Sequence, residues 1–272
     1  MMRTEKIAGY AILTLLAIGI VIPLLNIFLA SVQPAGSLIS GLSWPTEWHW
    51  ENYREAWTVA GFSQLLRSSF IVVVGVVPAT LVLATLAGYG LGVLDLPRSN
   101  SVLALFVAGM VIPVELIVIP LFYDLRAVGL VNTYLGVILV EIGLFMPFGV
   151  FWMRTFFSTV PRDLVEAARV DGASPLQMLR SVLLPLARPS LATLGVLVFM
   201  WSWNQFLLIL ILIQQASRRT APAALGFFVG QHTTDIPMLS AATILVILPI
   251  VILYMFFQRS FVSGLMQGAI KG

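Results

Sequence analysis

Residues Pro161 to Pro189 read PRDLVEAARVDGASPLQMLRSVLLPLARP, the longest polar interruption in an apolar C-terminal half. It carries Arg162, Arg169, Arg180 and Arg188, with Arg154 just ahead of it. Pro161 suits a first helical turn, Asp163 and Glu166 favour the positive end of the helix dipole, and Ala167 and Ala168 continue with high helix propensity. Gly172 ends that helix. Ser174 caps a second one with Pro175 in its first turn, and Leu176, Met178, Leu179, Val182 and Leu183 give it an apolar side until Pro185 and Pro189 turn the chain back into hydrophobic sequence. The pattern predicts a short helix, a sharp turn and a second short helix at a membrane surface.

The chain around this elbow is built for lipid. Its 272 residues are 59% hydrophobic and 10% charged, with a mean hydropathy of +0.99, against about 25% charged in soluble domains. The net charge is only +3 and the basic residues are scattered, so nucleic acid is not an expected partner. No cysteine is present, which excludes disulfides and thiolate metal sites within the chain. His49 and His232 are the two histidines, and both read as surface residues. No G-x-x-x-x-G-K-[ST] phosphate loop occurs, so ATP hydrolysis by this chain is not expected.

Apolar runs long enough to cross about 30 Å lie at 7–30, 68–94, 101–123, 131–153, 189–214 and 239–257. The first exceeds the 7 to 15 residues of a signal-peptide core and reads as a retained span. The expected fold is therefore an all-α polytopic membrane protein, one permease-like domain over 1–272, with six spans and the 161–189 loop between spans four and five. With the N-terminus inside, Arg3, Lys6, Arg98, Arg154, Arg162, Arg169, Arg180, Arg188, Arg259 and Lys271 fall on the inner side. Arg54, Arg67, Arg126, Arg218 and Arg219 fall on the outer side. That bias predicts cytoplasmic termini and a cytoplasmic 161–189 loop.

Several further groups invite functional readings. The segment from Ser31 to Arg67 gathers Trp44, Trp48, Trp50, Tyr53 and Trp57 with Glu47, Glu51 and Glu55, fitting an interfacial anchor, a contact for an extracytoplasmic protein, or both. In span two, Ala84, Ala87, Gly88, Gly90 and Gly92 allow close helix approach. Gly88-Tyr89-Gly90 lacks the rest of a potassium-channel filter, so a channel is not expected. Glu115, between Pro113 and Pro120, and Glu141 each need a polar cavity or a partner at membrane depth. No Lys or Arg lies in the spans as drawn, which favours a neutral polyhydroxylated solute over an anion. Glu115, Tyr89, Trp201, Trp203 and Asn204 are candidate pathway residues, since carboxylates, amides and aromatic faces together suit hydroxyls and a sugar ring. Packing between helices is the competing explanation for Trp203, Asn204 and both acids.

Glu166-Ala167-Ala168, Asp171-Gly172-Ala173 and Leu184-Pro185 closely resemble the EAA loop of permease subunits in bacterial ABC importers. The resemblance extends to Met110-Val111-Ile112-Pro113 with Ile119-Pro120-Leu121, to Trp201-Ser202-Trp203-Asn204-Gln205-Phe206, and to Asn52-Tyr53. Gln258 to Leu265 and Gly268 to Gly272 are similar to the tail of the maltose-type, second-permease branch of the carbohydrate importers. Gly88 departs from the Ala-Ala-Tyr usual there. The resemblance implies a multi-pass permease of the bacterial inner membrane that imports a sugar or oligosaccharide by alternating access. It also implies a heterodimer with a homologous permease, two ATPase subunits that bind the ATP and Mg, and an extracytoplasmic sugar-binding protein. Glu166, Ala167, Ala168, Asp171, Gly172, Leu184 and Pro185 would then couple to the ATPase. The alternative is a proton- or sodium-coupled transporter using Glu115 or Glu141; it predicts ionophore-sensitive uptake and leaves the EAA pattern unexplained.

Overall fold

The computed structural model describes residues 2–39, 41–229 and 234–269, with side chains from 6 to 258 within those limits. His232, Lys271 and the 270–272 end of the tail lie outside the described residues, as do the side chains of 259–269. Every regular element among the described residues is a helix; an isolated antiparallel bridge joins Val229 and Thr234. Among the described residues, five helices are long and apolar enough to cross a membrane, or six when one bent pair counts as a span. The chain divides into two compact units, Met1–Leu65 with Ala221–Pro249, and Leu66–Thr220 with Ile250–Gly272.

In the first unit, α1 (Met2–Ser31) is apolar on every side and exposed along nearly all its length, as expected of a helix whose neighbours are lipid or another subunit. The chain leaving it is held by α2 (Glu51–Val59). Asn52 is buried and donates from Nδ2 to the carbonyls of Ser31, at 2.9 Å, and Gln33, at 2.7 Å, while the Tyr53 hydroxyl lies 2.7 Å from that of Ser31. These bonds satisfy carbonyls that a helix C-terminus leaves without partners. Above them Trp48 and Trp50 stack at 5.6 Å, Trp50 stacks on Tyr53, and Trp44 meets Trp48 edge-on. The backbone N–H at the start of α2, and then the His49 ring at 2.6 Å, hold the Glu51 carboxyl below its ordinary range.

The second unit contains most of α3 (Phe62–Val93), whose small face meets α6 (Tyr134–Phe157). A Cβ on Gly149 would lie 2.9 Å from that of Ala84, and one on Gly88 would lie 2.6 Å from the Cβ of Met153. The expected third span is not one helix. α4 (Ser99–Gly109) and α5 (Val114–Ala127) meet at 94°, because Pro113 adopts an extended backbone and stops the helical ladder at 110–113.

The expected fifth span also differs. After α7 (Arg162–Val170) and α8 (Pro175–Gln177), a π-helical turn, Met178–Leu183, leads directly into α9 (Leu184–Trp203). The chain is thus helical from Pro175 onward. Leu184 N donates to Leu179 O, the five-residue step of a π turn. Asn204–Phe206 breaks the helix and α10 (Leu207–Leu212) follows. At that end Asn132, with φ 62°, accepts at Oδ1 from the backbone N–H groups of Gln214 and Gln215 and at its carbonyl from Arg218. α11 (Ile236–Ala269) begins with Asp235 capping the Met238 N–H and carries the last expected span into the tail as one helix.

Candidate functional site

The elbow between α7 and α8 is built from local chemistry. Pro161 precedes the first helical residue, Asp163 lies in the first turn and Arg169 in the last, so both charges complement the helix dipole. Val165 and Ala168 face inward, whereas Glu166, Ala167 and Arg169 face out. Gly172 turns the chain at φ +76°, a conformation an L side chain rarely adopts. Ser174 then forms a full capping box: its hydroxyl accepts from the Gln177 N–H at 3.3 Å, and the Gln177 side chain accepts from the Ser174 N–H at 2.8 Å. Met178, Leu179 and Leu183 bury themselves in the core of the second unit, and Leu184 packs partly against it.

The exposed surface of this elbow is mixed. Glu166, Ala167, Asp171, Gly172 and Pro185 are exposed, and Ala168 is buried. Two apolar side chains flank the turn in the open, Val170 at 87% and Leu176 at 69% exposure. Beside α7 lies a polar cleft of about 390 Å³, bounded by Asp95, Asn100, Arg154, Arg162, Glu166 and Arg169 among others. Arg154 donates from Nη2 to Asn100 Oδ1 at 3.0 Å across it.

The candidate pathway residues do not form one cluster. Trp203 is 1% exposed, stacked on Phe199 at 5.5 Å and edge-on to Phe70 at 5.3 Å. Its ring is surrounded by helix side chains and offers no open face. Tyr89 is 19 residues beyond Phe70 on α3, roughly 28 Å along the axis at 1.5 Å per residue, and its hydroxyl reaches the elbow. Asn204 is exposed but closes its own helix, donating from Nδ2 to the Met200 carbonyl at 2.9 Å. Trp201 is partly exposed against Phe145 and Phe148. Glu115 is exposed in the first turn of α5, just after the 94° break, and makes no side-chain hydrogen bond or ion pair among the described residues. Glu141 is fully buried; Oε2 accepts a hydrogen bond from the Ser202 hydroxyl of α9, and Oε1 has no partner among the described residues. One oxygen of Glu141 is thus spent on a bond between α6 and α9.

Comparison with known proteins bears on this arrangement. The family described as binding-protein-dependent transport system inner membrane component matches residues 81–267, which include the elbow and the broken end of α9. The chain belongs to that family. This permease is 33% identical to the trehalose transport system permease protein SugB of Mycobacterium tuberculosis over 274 residues, all of both chains. It is 34% identical to the arabinooligosaccharides transport system permease protein AraQ of Halalkalibacterium halodurans, covering 97% of this chain and 95% of that one. It is 31% identical to the diacetylchitobiose uptake system permease protein NgcG of Streptomyces coelicolor, covering 97% and 88%. Its fold matches a chain from the crystal structure of a bacterial ABC transporter involved in import of the acidic polysaccharide alginate, with a TM-score of 0.79, 22% identity and coverage of 95% and 97%. The permease is thus a multi-pass, non-catalytic inner-membrane component with an ABC importer fold.

Two features of the permease site escape the sequence. Val170 ends an amphipathic helix and reads as one more apolar position, and Leu176 shares an apolar stripe with residues that are buried. The signal available was their place on either side of a Gly turn, where neither finds a core. The hydroxyl of Tyr89 reaches Pro175, 86 residues away, and no local pattern announces such a contact.

Proposed function

We propose that this permease is the sugar-translocating membrane subunit of an ATP-driven importer and that the 161–189 elbow is its contact with the ATPase. The observation that carries the reading is the elbow itself. It is stiffened by a capping box and a glycine turn, presents Val170 and Leu176 without a core, and continues through the π turn into α9. A rigid projection with exposed apolar tips fits a groove on another subunit, and its continuity with a span passes displacement into the membrane. The relatives matched over nearly their full lengths are named for trehalose, arabinooligosaccharides and diacetylchitobiose, which supports a sugar as cargo.

In this reading the functional unit holds a second, homologous permease, two ATPases carrying ATP and Mg, and an extracytoplasmic sugar-binding protein. Both termini and the elbow lie in the cytoplasm. Closing of the ATPases on ATP shifts the elbow; the spans rock to receive sugar from the binding protein, and hydrolysis returns them. Glu115, Trp201 and Asn204 are the pathway residues left accessible, the first and last beside breaks in helices, where irregular backbone commonly lines a cavity. Trp203 acts through packing, and Tyr89 is turned toward the elbow.

Glu166→Lys tests the elbow. The variant is expected to reach the membrane at wild-type levels but to lose the ATPase on co-purification and to lose substrate-stimulated ATP hydrolysis in proteoliposomes. Full retention of both would remove the elbow from the coupling path.

A further inference from the structure

Among the described residues, Tyr89 ties span two to the elbow by a hydrogen bond. Its hydroxyl donates to the Pro175 carbonyl at 2.9 Å and lies 3.8 Å from the Met178 sulfur, while its ring, 5% exposed, meets Phe157 edge-on at 5.9 Å. The acceptor is stiff, because Pro175 has a fixed φ and stands inside the Ser174–Gln177 capping box. The donor is stiff as well. A Cβ on Gly88 would lie 2.6 Å from Met153 Cβ and 2.7 Å from Arg154 N, and one on Gly92 would lie 3.1 Å from Phe157 Cβ. The two glycines bring α3 against the end of α6 just before and just after Tyr89.

We infer that Tyr89 is a positioning residue for transport: its hydroxyl on the Pro175 carbonyl makes α3 follow the elbow together with α6 and α9. The chain joins the elbow covalently to α6 at its start and, through Met178–Leu183, to α9 at its end, whereas α3 has no covalent link to it. The route into α9 contains a π turn, whose wider ladder has an α-helical alternative and so can absorb displacement. A third tie, from Tyr89 on α3 to the residue that begins α8, lies ahead of the π turn and bypasses it. This inference rests on the elbow being the ATPase contact.

The test is Tyr89→Phe in the assembled importer, which keeps the ring on Phe157 and removes only the hydroxyl. Basal ATP hydrolysis and ATPase co-purification are expected to match wild type, and the thermal midpoint to fall by no more than the few degrees one hydrogen bond is worth. Sugar imported per ATP hydrolysed is expected to fall roughly fivefold, the equilibrium weight of one hydrogen bond. Replacing Tyr89 with 4-aminophenylalanine, which restores a donor at the same place, is expected to recover the ratio. An unchanged ratio in Tyr89→Phe, or a loss in strict parallel with ATPase retention and thermal midpoint, overturns the inference. Glu166→Lys run alongside separates the two readings: uncoupling there with wild-type behaviour in Tyr89→Phe removes Tyr89 alone, whereas wild-type behaviour in both removes the elbow.

Discussion

Gly88 shows how much of this permease depends on single contacts between spans. Its environment has no room for a methyl group, since the nearest atoms to an added Cβ include the Arg154 N and Met153 C backbone atoms, at 2.7 and 2.9 Å. Backbone cannot rotate away as a side chain does. Gly88→Ala is therefore expected to push α3 from α6 and to destabilise the folded subunit by about 1–3 kcal/mol, the range for overpacked cores. A thermal melt in detergent would register the loss, and an unchanged midpoint would show that the helices separate freely here. The small face of span two was legible from Ala84, Gly88 and Gly92 in sequence. Which side chain the contact serves was not: Tyr89 read as a pathway residue beside Trp203, but Trp203 is buried by Phe70 and Phe199 while Tyr89 points at Pro175. Contacts spanning 86 to 133 residues have no periodic signature.

Among the elements, the elbow is the most legible because its determinants are local. Asp163 in the first turn, Gly172 at the turn and Ser174 at the cap each specify their own few residues, and each appears in the role its chemistry dictates. The broken spans are less legible. Pro113 marks a stop, but a proline in sequence announces no particular angle, and the 94° between α4 and α5 is seen only in the structure. The π turn has no sequence mark at all; with it the chain crosses Pro185 without leaving helix, because Pro185 falls in the first turn of α9. Gly172 yields a graded prediction. No atom outside its neighbours lies within 4 Å of an added Cβ, so only its φ of +76° objects to a side chain. Gly172→Ala is expected to cost about 1–2 kcal/mol of local strain and to weaken substrate-stimulated ATP hydrolysis partially. Gly172→Pro, whose φ is fixed near −65°, is expected to abolish it with the protein still in the membrane. Equal activity in all three proteins would mean that the turn geometry does not matter to coupling.

At the scale of the molecule, the proposed orientation assigns the 31–67 segment and the elbow to opposite compartments. Ten of the fifteen Lys and Arg side chains fall on the elbow's side when the six expected spans are threaded from an inner N-terminus, and loops rich in Lys and Arg stay in the cytoplasm. The absence of cysteine makes a direct test clean, because each introduced thiol is alone. Leu38, 96% exposed before the aromatic loop, and Val170, beside the elbow turn, are suitable sites. A membrane-impermeant maleimide is expected to label Leu38→Cys in right-side-out vesicles and Val170→Cys in inverted ones. Adding the ATPase to inverted vesicles should then shield Val170→Cys, since an apolar tip seated in a groove is removed from water. Labelling of Val170→Cys from the outside would reverse the orientation. Labelling from the inside that the ATPase leaves unchanged would keep the orientation and place the docking surface elsewhere on the cytoplasmic face.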